Sequence, residues 1–103
     1  MSAARRLSGT DRRQLILQAA IRLAERDGFH TISRNNVGRE AGVSGGLVLY
    51  FWFTMDELKT AVMRHAITVQ HLPILVQGMA LGNPTALAAP RKLRQAAAKT
   101  LGA

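Results

Sequence analysis

An all-helical domain is what this sequence predicts, and three observations predict it. Apolar residues return every three or four positions over Leu15–Ala24 and again over Leu58–Val69, the period of a helix with one buried face. Ser or Thr precedes each of the first four helical stretches, where a hydroxyl accepts a backbone N–H of the first turn. Gly42 separates two short helical stretches at the spacing of helix, tight turn, helix. The fold class is therefore all-α: a three-helix helix-turn-helix core, the start of a long fourth helix, and a short tail that is helical or partly disordered.

The elements follow in chain order. Residues 1–9 show no periodicity and read as a flexible arm. Leu15, Ile16, Ala19, Ala20, Leu23 and Ala24 form the apolar face of a helix over 11–27, with Ser8 or Thr10 as its cap and Gly28 in a left-handed stop. Ser33 is placed to cap a second helix over Arg34–Ala41, which two Asn and Gly38 make poor by propensity, so packing through Val37 and Ala41 has to hold it. Gly42 breaks that helix, Val43 plugs the turn, and Ser44 caps a third helix over 45–51. Thr54 and Glu57 fit a capping box for a fourth helix over 55–70, limited by Pro73. Beyond it the pattern weakens: Ile74–Gly82 reads as a short helix or an extended segment, Gly82–Pro84 as a turn, and Pro90–Leu101 as a last helix with Pro90 in its first turn. The organisation is then an arm over 1–9, a domain over 10–70 with its helix-turn-helix at 33–52, and a tail over 71–103.

Composition narrows the chemistry. The chain has 103 residues, no cysteine and a formal net charge of +8. Disulfide frameworks, thiol nucleophiles and cysteine-held metals are excluded, and three scattered His leave little for a metal, so no cofactor is expected. No apolar run is long enough to span a bilayer and no secretion signal stands at the N-terminus, so the reading is cytosolic with no membrane partner. The acids occupy polar helix faces or the helix start at Asp56 and Glu57, and the glycines at 42, 45 and 46 lack the Lys and preceding strand of a phosphate loop; no enzyme is expected. Excess positive charge draws polyanions, nucleic acid foremost. Residues 1–40 hold eight Arg against four acids, and the last 37 residues hold four basic residues and no acid.

With Ile16–Ala20, Gly28-Phe29, Ser33, Ala41–Ser44, Gly46 and Thr54–Leu58 in that order and spacing, Arg13–Ile67 resembles the DNA-binding domain of the tetracycline-repressor (TetR) family of transcriptional regulators. The resemblance covers about half the chain. It implies a homeodomain-like helical domain, a third helix that reads operator DNA in the major groove, a repressor acting as a homodimer on a palindromic site, and a cytoplasmic, nucleoid-associated protein. Ser33, Asn35, Tyr50, Thr54 and Lys59 keep polar groups where the family touches DNA. Ser44, Gly45 and Gly46 open the third helix, where N–H groups meet phosphate and small residues permit close approach. Leu47 is placed to touch a thymine methyl, and Tyr50 with Phe51 ends the helix in aromatic surface. Arg12 and Arg13, with Arg5 and Arg6, would extend as an arm along phosphates. Val48 and Trp52 correspond to core positions.

The chain also departs from the family pattern. Gly45 stands where relatives commonly have Lys, Leu47 where they often have Thr or Ser, and Met55 where they have a phosphate-binding Lys. Each swap removes a charge or hydroxyl that could contact DNA. About 35 residues follow the fourth helix, too few for the family's effector cavity, so a small-molecule effector is not expected and the chain reads as a truncated relative. The alternative is a protein-interaction module, or a nonfunctional remnant, using the partly apolar face of Leu47, Phe51, Phe53 and Met55.

Overall fold

The computed structural model describes residues 8–101, which form seven α-helices and one 3-10 turn with no strand among them. Helix α1 spans Gly9–Asp27 and is buried through Ile16, Ala19, Ala20, Ile21, Leu23 and Ala24. Its start differs from the sequence expectation. Ser8 is the N-cap, its hydroxyl accepting the Asp11 N–H at 3.0 Å while the Asp11 carboxylate accepts the Ser8 N–H at 3.3 Å, so Ser8 and Gly9 belong to the helix start rather than to an arm. The rest of the expected arm, residues 1–7 with Arg5 and Arg6, lies outside the described residues. The buried stripe is also rotated: Leu15 keeps 52% of its surface in solvent and Ile21 is buried in its place.

Gly28 ends α1 with φ 109° and ψ 150°, a positive φ but an extended turn rather than a left-handed helical one. A 3-10 turn over Phe29–Thr31 follows, with Phe29 and Ile32 buried on either side. Helix α2, Arg34–Ala41, starts at Ser33, whose hydroxyl accepts the Asn36 N–H at 3.2 Å. Val37 is fully buried, which holds this poor helix former in place. Gly38 has a specific reason: a Cβ there would lie 2.7 Å from the Val43 carbonyl oxygen, and that tight spot is where the turn folds back. The turn closes through Val43 N–H to Gly38 C=O at 2.9 Å, with Gly42 in the left-handed conformation at φ 75° and ψ 29°.

Helix α3, Gly45–Trp52, and α4, Met55–Thr68, complete the support. Thr54 caps α4 by accepting the Glu57 N–H at 3.1 Å. The reciprocal half of the expected capping box does not form: the Thr54 N–H bonds the Trp52 carbonyl at 2.5 Å, and the Glu57 carboxylate turns to Arg13. Between them Phe53 sits at φ 58° and ψ −54°, the centre of a strained three-residue turn that non-glycine residues rarely adopt.

Helix α4 stops at Thr68, short of residue 70, because Gln70 takes φ 57° and the His71 N–H returns to the Ala66 carbonyl. Pro73 does not limit α4. It lies in the first turn of α5, Leu72–Ala80, where its missing N–H is not needed, and the His71 ring accepts the Ile74 N–H at 3.2 Å. The stretch left open between helix and extended segment is thus a helix. Asn83 caps a short α6, Pro84–Leu87, and α7 runs over Arg91–Lys99 with Pro90 one position before it rather than in its first turn. The segment after α4 is packed: Ile74, Leu75, Ala86 and Ala97 join one core cluster with Ile16, Val37, Val48, Leu58 and Val62. Gln77 of α5 ties this segment to the turn after α1, its Oε1 accepting the Phe29 N–H at 2.6 Å.

Candidate nucleic-acid interface

Helix α3 lies on α1, α2 and α4 and is buried on one side only. Val48 is fully buried and Trp52 is 5% exposed, whereas Tyr50 is 71% exposed. Its N-terminus is open. Ser44 is exposed and its hydroxyl accepts the Leu47 N–H at 3.1 Å, at the positive end of the helix dipole.

The two glycines there differ. A Cβ at Gly46 would meet nothing nearer than the Ser44 hydroxyl at 3.8 Å, so the helix surface is open at that point. At Gly45 a Cβ would fall 2.7 Å from Asn35 Oδ1 and 3.4 Å from Arg34 Cγ. The space beside Gly45 is therefore taken by the first turn of α2 rather than left for a phosphate. The same contact brings Asn35 to the N-terminus of α3, so the exposed starts of the two helices form one surface.

Other expected positions separate into two groups. Ser33 and Thr54 are committed as N-caps, though Thr54 remains exposed, and Lys59 is half-buried on α4. Leu47 and Phe51 are half-buried and, with Arg12, Leu15 and Val43, line a shallow apolar groove between α1 and the turn. Phe51 packs against the edge of Tyr50 at 5.0 Å between ring centroids. Phe53 is 74% exposed.

Arg12 and Arg13 are not arm residues, because α1 already includes them. Arg12 points to solvent at the rim of the groove. Arg13 turns the other way. Its guanidinium lies 3.6 Å from the centroid of the Trp52 ring, donates to the Phe51 carbonyl and pairs with Glu57 at 3.5 Å, while the Trp52 indole N–H donates to the Arg13 carbonyl at 3.0 Å. The sequence held a signal for this: Arg13 is three residues before Ile16, on the buried stripe of α1.

On the opposite side of α1, Glu40 of α2 accepts from Arg22 at 3.3 Å and pairs with Arg26 at 3.0 Å. Hydrogen bonding from Arg26, then from Arg22, holds the Glu40 carboxyl below its ordinary value, and Arg26 does the same for Asp27. This network fixes α2 to α1, away from the open ends of α2 and α3. Among the described residues no group of His, Asp or Glu is placed to hold a metal, and no helix is long and apolar enough to cross a membrane.

A family model for bacterial regulatory proteins of the tetR family matches residues 16–62, which run from the buried start of α1 into the middle of α4. No curated protein and no solved structure matches the chain. The matched residues hold the helix-turn-helix described above, with α2 and α3 joined at Gly42. The chain thus carries the N-terminal helix-turn-helix domain of the tetR family, a family of DNA-binding transcription regulators.

Proposed function

We propose that the chain is a sequence-specific repressor that enters the major groove of operator DNA with α3 and binds as a homodimer to a two-fold site. The observation that carries this reading is the split of α3: Val48 and Trp52 are buried while Ser44, Gly46 and Tyr50 are exposed. One helix of this kind fits a major groove, and a helix N-terminus suits the flanking phosphate. The repressor sign and the homodimer rest on the family. Arg13 is withdrawn from the set of DNA contacts, and Gly45 contributes its backbone alone.

The test is selection of duplexes from a randomised pool, followed by gel-shift titration of the selected and a scrambled duplex at two salt concentrations. Specific readout gives tighter binding to the selected duplex at both, and Tyr50→Ala lowers that preference by about 1–3 kcal/mol. Equal binding to both duplexes rejects the proposal. A protein-interaction role for the same surface is favoured by one observation, the 74% exposure of Phe53 at the end of α3. Under that role Tyr50→Ala leaves duplex binding unchanged. Light scattering on the free and DNA-bound chain reports the dimer.

A further inference from the structure

We infer that Arg13 is the positioning residue of the reading helix: from α1 it holds the C-terminal end of α3 in place, and its charge is used inside the protein rather than on a phosphate. The inference rests on α3 being the element that meets DNA.

Three features of α3 create the need. It is eight residues long, too short to be stable without support, and its first two residues are glycines. It has no basic residue in its last turn, where a cation would offset the negative end of the helix dipole. It then runs straight into the strained turn at Phe53, so the last carbonyls cannot be satisfied by a regular continuation.

Arg13 answers each of them. Its guanidinium donates to the Phe51 carbonyl and so supplies the missing cation at the helix end. The flat face of the same group covers the Trp52 ring, which a point charge could not do as well. Its ion pair with Glu57 brings in the first turn of α4. The Trp52 indole N–H returns to the Arg13 backbone, so the contact is fixed from both sides. Other α3 end carbonyls are met locally, Leu49 by the Phe53 N–H and Trp52 by the Thr54 N–H; the Phe51 carbonyl is the one reached from a distant element. Rotation of α3 about its own axis would break this set of contacts together, and rotation is what changes the side chains presented to base edges.

Arg13→Ala is the test, read in two ways. Without DNA, hydrogen exchange over residues 47–53 is expected to quicken by about tenfold while residues 74–78 of α5 keep their protection. Trp52 is the only tryptophan, so its emission reports the loss of the guanidinium directly. With the duplex selected by the wild-type chain and a scrambled duplex, the ratio of the two affinities is expected to fall about fivefold at an unchanged salt slope. A salt slope reduced by about 0.9, with equal loss on both duplexes, would mean a phosphate contact and overturn the inference. So would a lowered melting temperature with exchange over 47–53 and the affinity ratio both unchanged.

Should Arg13→Ala not fold, Arg13→Lys keeps the charge and loses the planar stack. It is expected to show the same changes at smaller size, and wild-type behaviour in both assays overturns the inference. If the wild-type chain itself selects no duplex, the proposed function fails, and the exchange measurement alone decides whether Arg13 holds α3.

Discussion

Helices α1–α4 and helices α5–α7 are held by different chemistry. In the first group each helix begins on a Ser or Thr hydroxyl, at Ser8, Ser33, Ser44 and Thr54, and all the ion pairs among the described residues lie here. The second group begins on His71, Asn83 and Pro90 and contains no acidic residue at all. It is joined to the first by close fit: Gly78 of α5 is buried, and a Cβ there would lie 2.2 Å from Met63 Cε and 3.0 Å from Ala86 Cβ. Directional polar contacts set the geometry around α3. Close fit, with the hydrogen bond from Phe29 to Gln77, joins α5–α7 to the rest.

Despite that difference the two groups share one core, and the largest expected effect tests this. Leu75 is fully buried in α5 within the cluster that also holds Val37 and Val48. Leu75→Ala should lower stability by about 2–5 kcal/mol, with far-ultraviolet circular dichroism and Trp52 emission still melting together. Two separate transitions would show that α5–α7 form their own unit.

The next effect sets one glycine from each group against the other. Gly38→Ala brings a Cβ to 2.7 Å from the Val43 backbone oxygen, which cannot move without opening the turn. Chemical denaturation should show a loss of about 1–3 kcal/mol. Gly78→Ala has the nominally worse clash, yet the nearest atom it meets is the end of a flexible Met63 side chain, with Ala86 Cβ next at 3.0 Å. With the gain of up to about 1 kcal/mol that Ala has over Gly in a helix, its loss should be the smaller of the two. The reverse order would mean that close fit, not turn geometry, is the more stringent constraint in this fold.

The smallest effect is electrostatic and confined to the first group. Glu40 and Asp27 are held below their ordinary values of 4.5 and 3.8 by hydrogen bonds from Arg26, and for Glu40 from Arg22 as well. A carboxylate lowered by folding stabilises the fold above its unfolded value, and that contribution is lost as pH falls through the lower folded one. Thermal melts of wild type and Glu40→Gln should therefore differ near neutral pH and converge as pH drops below about 4.5. Added salt should shrink the difference, since these side chains border solvent. A gap that persists at low pH would assign the effect to packing instead.

The same contrast explains what could be read in advance. The caps at Ser33, Ser44 and Thr54 were legible because a hydroxyl and the N–H it accepts are three residues apart, a purely local relation. Gly42 as the turn was legible for the same reason of short-range pattern, whereas Val48 and Trp52 as core followed from the family resemblance. The helices of the second group were obscured by Pro73, by Gly78 and Gly82, and by alanine-rich faces whose burial leaves little contrast in hydropathy. The contacts of Arg13 with Trp52 were not legible because an arginine near a basic N-terminus has the same local signature whether it meets a phosphate or an indole ring 39 residues away.

Local order therefore determined the helical class: four hydroxyl-capped helices and a glycine turn were written in short-range spacing. Tertiary structure alone decided which way Arg13 faces, that the space at Gly45 is filled by Asn35, and that the segment after α4 folds back onto the core. Those outcomes depend on contacts between residues far apart in the chain, whose strength comes from burial and exclusion of water, and neither exists until the helices have met.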